Sequence, residues 1–118
     1  ANQPIEVYGD GEQTRDFLFV ADIAEALELA GERPVDGEVM NLGSGQATSV
    51  NEVVRLLSDI TGKPSRASHK PARPGDVRHS RADVTKAREK LGFAARTTVR
   101  DGLARTLESM RAASKASR

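Results

Sequence analysis

Strand-like and helix-like hydrophobic periods alternate along this chain, and that alternation restricts its fold more than any other feature. Pro4, Ile5, Glu6, Val7 and Tyr8 alternate apolar with polar, the two-residue period of a half-buried strand. Residues 16–20 (Asp16, Phe17, Leu18, Phe19, Val20) are apolar enough for a second strand buried on both faces. Residues 38–42 read as a third strand running into Gly43, Ser44 and Gly45. Between the last two, a helix is expected from about Asp22, whose side chain can cap it. Its stripe is Ile23, Ala26, Leu27 and Ala30, and Gly31 and Pro34 end it.

The most sharply defined element follows. Ser49, Val50, Asn51 and Glu52 form a capping box, in which Ser49 and Glu52 can satisfy each other's backbone N–H groups. Val50, Val53, Val54, Leu57 and Ile60 then build one apolar face, and Gly62 with Pro64 stops the helix. Residues 65–70 suit a short edge strand, and 71–80, with two prolines and a glycine, suit a loop. Asp83 can cap a short helix carrying Val84, Ala87 and Leu91 and closed by Gly92. A last helix starts near Thr98, with Val99, Leu103, Leu107 and Met110 at helical spacing. The order β, β, α, β, α, β, α, α alternates too much for a bundle, so the predicted class is α/β, without internal repeats.

The 118 residues suit one domain with a modest core, and with 37% hydrophobic but 3% aromatic residues that core must be mostly aliphatic. Eighteen basic against 17 acidic side chains leave a net charge of +1, so no bulk field argues for nucleic acid or an anionic membrane as partner. No apolar run approaches a membrane span and no signal-peptide pattern opens the chain. The absence of Cys removes disulfides and thiolate metal sites, and a cytoplasmic setting is expected. Residues 112–118 are small and basic and are expected to form a flexible tail behind a domain of residues 1–111. Without an initiating Met, the chain is expected to be a piece of a longer protein.

Two turns carry the chemistry. Arg73-Pro74-Gly75-Asp76-Val77 holds a cation and a carboxylate on one rigid bend, because Pro fixes φ and Gly permits a sharp turn. Gly9-Asp10-Gly11-Glu12-Gln13-Thr14-Arg15-Asp16 offers a second Arg and Asp. An Arg fork suits a phosphate and an ionised Asp accepts from sugar hydroxyls, so a pair of loops gripping a phosphorylated sugar is one reading. The other is two solvated loops, each Arg paired with its nearby Asp. Spacing does not decide between them.

Other motifs point to chemistry less well. Gly43-Ser44-Gly45-Gln46-Ala47-Thr48 sits where a dinucleotide fingerprint belongs, but Thr48 occupies the third small position, and a tight strand-to-helix turn is the default. Tyr8 is the only tyrosine and Glu12 stands four residues on, so no Tyr-x-x-x-Lys pair exists. His69 and His79 lack partners at metal-ligand spacing. The chain by itself is expected to perform no bond chemistry, and neither a catalytic residue nor a cofactor or metal ligand is assigned within it.

Ile5 to Phe17, Val20-Ala21-Asp22-Ile23, Met40 to Gly45, Ser49 to Glu52 and Arg73 to Val77 with Ala82-Asp83 together resemble the C-terminal part of the NAD-dependent epimerase/dehydratase family. These are the extended short-chain dehydrogenases, and members like UDP-glucose (UDP-galactose) 4-epimerase are the nearest. Lys90-Leu91-Gly92-Phe93 and Asp101-Gly102-Leu103 also fit. The resemblance implies a small mixed α/β substrate-binding domain without its Rossmann domain, which would carry NAD and the catalytic Ser/Thr and Tyr-x-x-x-Lys. By position, Arg15 and Arg73 resemble the arginines that hold the UDP diphosphate, and Asp76 the carboxylate near the ribose. Glu6 and Tyr8 fall on the strand that meets the uracil. The reaction implied for the parent is oxidation of the sugar C4 hydroxyl by NAD, rotation of the 4-keto sugar, and hydride return to its other face. Dehydratases and decarboxylases of the family share these motifs. The implied partners are a UDP-sugar and the missing Rossmann domain, with self-association through the exposed interface as a further expectation. A helical oligomerisation module is the reading from a different class.

Overall fold

A computed structural model describes residues 4–64 and 66–116. The fold is mixed α/β. Strand β1 (Ile5–Tyr8) leads through the Gly9–Gly11 turn to β2 (Thr14–Arg15). Helix α1 (Val20–Glu32), β3 (Thr48–Ser49), α2 (Val50–Thr61), β4 (Ala67–Lys70), α3 (Thr85–Leu91) and α4 (Val99–Ala116) follow.

Two small sheets result. β1 and β4 pair in parallel, with Ile5 opposite Ala67 and Tyr8 opposite Lys70. β2 and β3 pair antiparallel, with Thr14 opposite Ser49 and Arg15 opposite Thr48. The expected strand at 65–70 is therefore present over 67–70; Ser65 lies outside the described residues. An isolated parallel bridge joins Thr14 to His79.

The expected strands at 16–20 and 38–42 do not form. Both segments run without a ladder partner, and Val20 opens α1. A strand needs a neighbour to take its backbone groups, and the described residues supply none to either segment. Leu18, Met40 and Leu42 nevertheless turn inward, packing on a core of Ala26, Ala87, Leu91 and Phe93.

Helix α1 departs from expectation in two ways. Asp22 does not cap it from outside; Phe19 holds the N-cap position, and Asp22 is buried in the first turn. There its carboxylate accepts from the Thr97 amide at 3.1 Å and the Thr97 hydroxyl at 3.3 Å, which ties α1 to the start of α4. The expected stripe also splits. Ala26 and Ala30 face the core, whereas Ile23 and Leu27 join Val20 on a second apolar face left open to solvent. Val20 is 69% and Leu27 65% exposed, and Val39 on the neighbouring unpaired segment is 84% exposed. A helix apolar on two faces suits a place between two layers, and among the described residues only one of those faces is covered.

Helix α2 starts as its sequence predicts: Ser49 Oγ accepts from the Glu52 amide at 3.0 Å. The box stays half closed, because the Glu52 carboxylate turns to Arg55. Gly62 ends the helix at φ +70°. The expected stripe is half-buried and the most buried position is Leu56, which shares a face with Val53 and Ile60 by helical spacing. α2 packs on α4. Val84, not Asp83, holds the N-cap position of α3 and makes no side-chain cap bond; Asp83, one residue further out, accepts on Oδ1 from the Thr85 amide, and Gly92 closes the helix at φ +68°. α4 runs to Ala116, so helix reaches into the 112–118 stretch assigned to the tail; residues 117 and 118 lie outside the described residues. Among the described residues no helix is long and apolar enough to cross a membrane.

Candidate functional site

The turn at 9–12 is shaped by two glycines with positive φ. Gly9 lies at +82° against Ala72, and Gly11 at +78° against Asn51. Asn51, on the first turn of α2, donates from Nδ2 to the Asp10 carbonyl at 3.0 Å and to Glu12 Oε1 at 2.6 Å. Its own amide donates to the Gly11 carbonyl at 2.9 Å. The first loop is thus pinned to the α2 N-terminus by contacts that involve no residue of the second loop.

The second loop, 71–82, is then laced to the first. The Thr14 amide donates to the Arg78 carbonyl at 2.9 Å and the Ser80 amide to the Thr14 carbonyl at 3.1 Å. Arg78 grips the Asp10 carboxylate through Nη1 at 2.7 Å and Nη2 at 3.0 Å. The Arg78 bonds first, and after them the Glu12 amide donating to Asp10 Oδ1 at 2.9 Å, hold the Asp10 carboxyl at about 2, below its ordinary 3.8.

Asp16 closes the lacing from beneath. One carboxylate accepts from the Ser44 amide (2.8 Å), the Ser44 hydroxyl (2.7 Å), the Gly45 amide (2.9 Å) and the Ala82 amide (3.2 Å). Burial works to raise this carboxyl, but the bonds from Ser44, Ala82 and Gly45 outweigh it and hold it below the usual carboxylate range. The Ser44 and Gly45 amides are therefore occupied within the chain by Asp16, as a structural turn requires. Gly43 is tight there: a Cβ would lie 2.6 Å from Ala82 Cβ and 2.8 Å from Asp16 Oδ2.

Above this frame the five residues singled out in the sequence come together. Glu6, Tyr8, Arg15, Arg73 and Asp76 all line one open cleft of about 330 Å³, with Val7, Gln13 and Val50. The within-loop Arg–Asp pairs of the two-solvated-loops reading do not form. Arg15 does not pair with its neighbour Asp16; it crosses to the second loop, where Nη2 donates to Asp76 Oδ1 at 2.7 Å while Nη1 donates to the Thr14 carbonyl at 2.7 Å. Arg73 does not pair with Asp76; its guanidinium lies 4.0 Å above the Tyr8 ring, a cation–π contact. Two cations from loops far apart in sequence thus border one concavity, with one carboxylate and one aromatic ring beside them.

Gln13 and Val50 were not singled out from the sequence. Gln13 Nε2 donates to the Tyr8 carbonyl at 2.8 Å, and its Oε1 is buried without a hydrogen-bond partner in the wall of the cleft. The signal was available: Gln13 stands two residues before Arg15, and alternation along extended chain places such a pair on one side. Among the described residues no three His, Cys, Asp or Glu gather as a metal site would require.

Known proteins give this geometry a context. The family model for GDP-mannose 4,6-dehydratase matches residues 1–106. A UDP-glucose 4-epimerase of Mycolicibacterium smegmatis is 37% identical over 111 residues, 94% of this chain and 36% of that protein. The crystal structure of a UDP-glucose 4-epimerase from Thermotoga maritima, determined with UDP-glucose, superposes with a TM-score of 0.88 at 42% identity, over 95% of this chain and 36% of that one. A UDP-glucuronic acid 4-epimerase from Bacillus cereus, in complex with UDP-glucuronic acid and NAD, superposes with a TM-score of 0.80 at 31% identity, over 86% of this chain and 33% of that one. The chain spans about a third of the length of the relatives it matches. It belongs to the NAD-dependent epimerase/dehydratase family and corresponds to the C-terminal part of its members.

Proposed function

We propose that this chain is the nucleotide-sugar-binding part of an NAD-dependent 4-epimerase acting on a UDP-sugar. The observation that carries the reading is the convergence of Arg15 and Arg73, with Asp76, Glu6 and Tyr8, on one cleft. An arginine fork presents paired N–H donors that match phosphate oxygens, and two forks suit a diphosphate. Asp76 is an acceptor for ribose hydroxyls, and Glu6, Val7 and Tyr8 form the wall that meets the base. The lacing beneath, through Asp10, Asp16, Asn51 and Arg78, holds both loops at fixed separation. Anchoring a diphosphate in this way lets remote binding energy orient the sugar against the reacting centre.

In the parent enzyme NAD, bound by an upstream Rossmann domain, would take and return the sugar hydride. This chain supplies no group for that step and is expected to be inactive alone. The open face of Val20, Ile23 and Leu27 and the unpaired segment 38–42 are where the upstream domain would pack.

Calorimetric titration tests the reading. The chain should bind UDP and UDP-glucose saturably and NAD not at all, and Arg73→Ala should weaken UDP binding by about tenfold or more, the loss of a charge-assisted phosphate contact. A folded chain that binds none of these ligands would sink the anchoring role for the isolated domain. A second reading, the same domain in a 4,6-dehydratase, is supported by the match of residues 1–106 to the GDP-mannose 4,6-dehydratase family. Product analysis of the intact parent separates the two.

A further inference from the structure

Three Asp-Gly sequences occur in the chain, at 10–11, 36–37 and 101–102. Such a pair is chemically labile, because a glycine nitrogen with no side chain to shield it can attack the aspartate Cγ. The reaction consumes a protonated carboxyl and a free backbone N–H, and the aspartate ψ must rotate to bring them together. The fold denies these conditions at two of the sites. The Asp10 carboxylate is filled by Arg78 on both oxygens and by the Glu12 amide, and a carboxyl held at about 2 is rarely protonated. Gly11 beside it is buried, with Asn51 packed where a Cβ would go. Asp101 and Gly102 lie in α4, where the Gly102 amide donates to the Thr98 carbonyl at 2.9 Å and the helix fixes ψ.

Asp36 and Gly37 are open on every count. They are the central residues of the turn after α1, which is closed by the Glu38 amide donating to the Val35 carbonyl at 3.2 Å. Both are exposed. Gly37 stands at φ +74°, and no atom beyond its chain neighbours lies within 4 Å of where a Cβ would be. Among the described residues the Asp36 carboxylate has neither a hydrogen bond nor an ion pair.

We propose that Asp36 is a site of spontaneous modification, isomerising through a cyclic imide to isoaspartate, and that the fold confines this chemistry to it. The Gly37 nitrogen bonds to Asp36 Cγ and the Cγ–OH bond breaks, its oxygen leaving as water with the amide proton. Water then adds to either carbonyl of the ring. Opening at Cγ restores aspartate. Opening at the Asp36 main-chain carbonyl sends the backbone through the side chain, longer by a methylene and unchanged in mass. That methylene enters just ahead of Glu38 and Val39, where Lys86 holds the segment by donating to the Val39 carbonyl at 2.9 Å.

Incubating the chain in warm, neutral water enriched in heavy oxygen tests it, because each ring opening fixes a heavy oxygen atom that mass spectrometry reads after digestion. The peptide containing Asp36 should gain label at least about tenfold faster than those containing Asp10 and Asp101, since a group that must first break native bonds reacts only through local opening. Chain unfolded in urea should label all three at comparable rates. An isoaspartate-directed methyltransferase should modify the aged native chain in the same peptide. Asp36→Glu, whose longer side chain does not close the five-membered imide, should abolish the label there, and Arg78→Ala should raise it at Asp10. Native label spread evenly over the three peptides, or absent from the Asp36 peptide, overturns the proposal.

Discussion

Arg78 holds Asp10 with two hydrogen bonds across 68 residues of sequence, Nη1 on Oδ1 and Nη2 on Oδ2. The pair is exposed and its energy is modest, but its titration is readable. Asp10 has its folded pKa lowered to about 2 from 3.8, so its contribution is fully present above the higher value and disappears as pH falls through the lower one. The melting temperature should fall on acidification from about pH 4 to pH 2. A carboxyl-detected NMR titration should place the Asp10 midpoint near the lower value, and Arg78→Ala should return it towards 3.8. A midpoint unmoved by that substitution would refute the pairing in solution.

Gly11→Ala should be destabilising by about 2 kcal/mol or more, since it adds positive-φ strain to a steric clash. The residue lies at φ +78°, and a new Cβ would fall 2.0 Å from Asn51 Oδ1. Adding Asn51→Ala should recover part of the loss, the steric part, and leave the backbone part. Urea denaturation of the single and double variants separates the two contributions; full recovery would show that the backbone is unstrained.

Asp16→Asn should cost about 1–3 kcal/mol, because an amide group in that position turns a donor towards N–H groups that need an acceptor. Three segments, 43–45, 82 and the Arg15 strand, meet at that carboxylate. Hydrogen exchange at Ser44, Gly45 and Ala82 should rise together. Independent changes at the three amides would contradict a shared anchor.

Tyr8 is the only tyrosine and the chain has no tryptophan, so intrinsic emission reports the cleft alone. With Arg73 4.0 Å above the ring, UDP should alter the Tyr8 signal as the guanidinium turns to phosphate. Arg73→Ala should shift the unliganded emission and remove the response to UDP. An unchanged response in that variant would take Arg73 out of the binding event.

The open apolar face should drive self-association of the isolated chain. Exposed patches of this kind find another surface, and Val20, Ile23 and Leu27 lie together on α1. Sedimentation velocity should show a concentration-dependent increase in mass, and Val20→Lys with Leu27→Lys should abolish it without lowering the melting temperature. A wild-type chain that stays monomeric at high concentration would overturn this expectation.

What was legible in the sequence was mostly local. Ser49 capping α2 and Gly62 and Gly92 at helix ends each depend on residues a few positions apart, and the structure shows each of them, whereas the cap expected of Asp83 falls to Val84. Residues 16–20 and 38–42 were misread because a strand is a property of two segments and their sequences describe only one. The α1 stripe was misread for a related reason: Ile23, Ala26, Leu27 and Ala30 look like one face until the second apolar side of the helix is counted. Arg15, Arg73 and Asp76 stood out in the two turns, and Glu6 and Tyr8 came from the family resemblance; the five do converge, but the crossed pairing of Arg15 with Asp76 was beyond sequence reach. Proximity in the chain suggested Asp16 instead, a residue whose carboxylate the fold had already filled.

The lacing of the two loops also bears on the order in which the molecule assembles. Its contacts join residues 61, 66 and 68 positions apart, and β1 finds its parallel partner β4 at similar range. Contacts at such separation require closure of most of the chain before they return any stabilisation. The helices can form early from nearby residues, whereas the cleft can exist only after the final ring closure. Refolding monitored by Tyr8 emission should therefore lag behind refolding monitored by helical circular dichroism, and a nucleotide would act on the last step of folding alone.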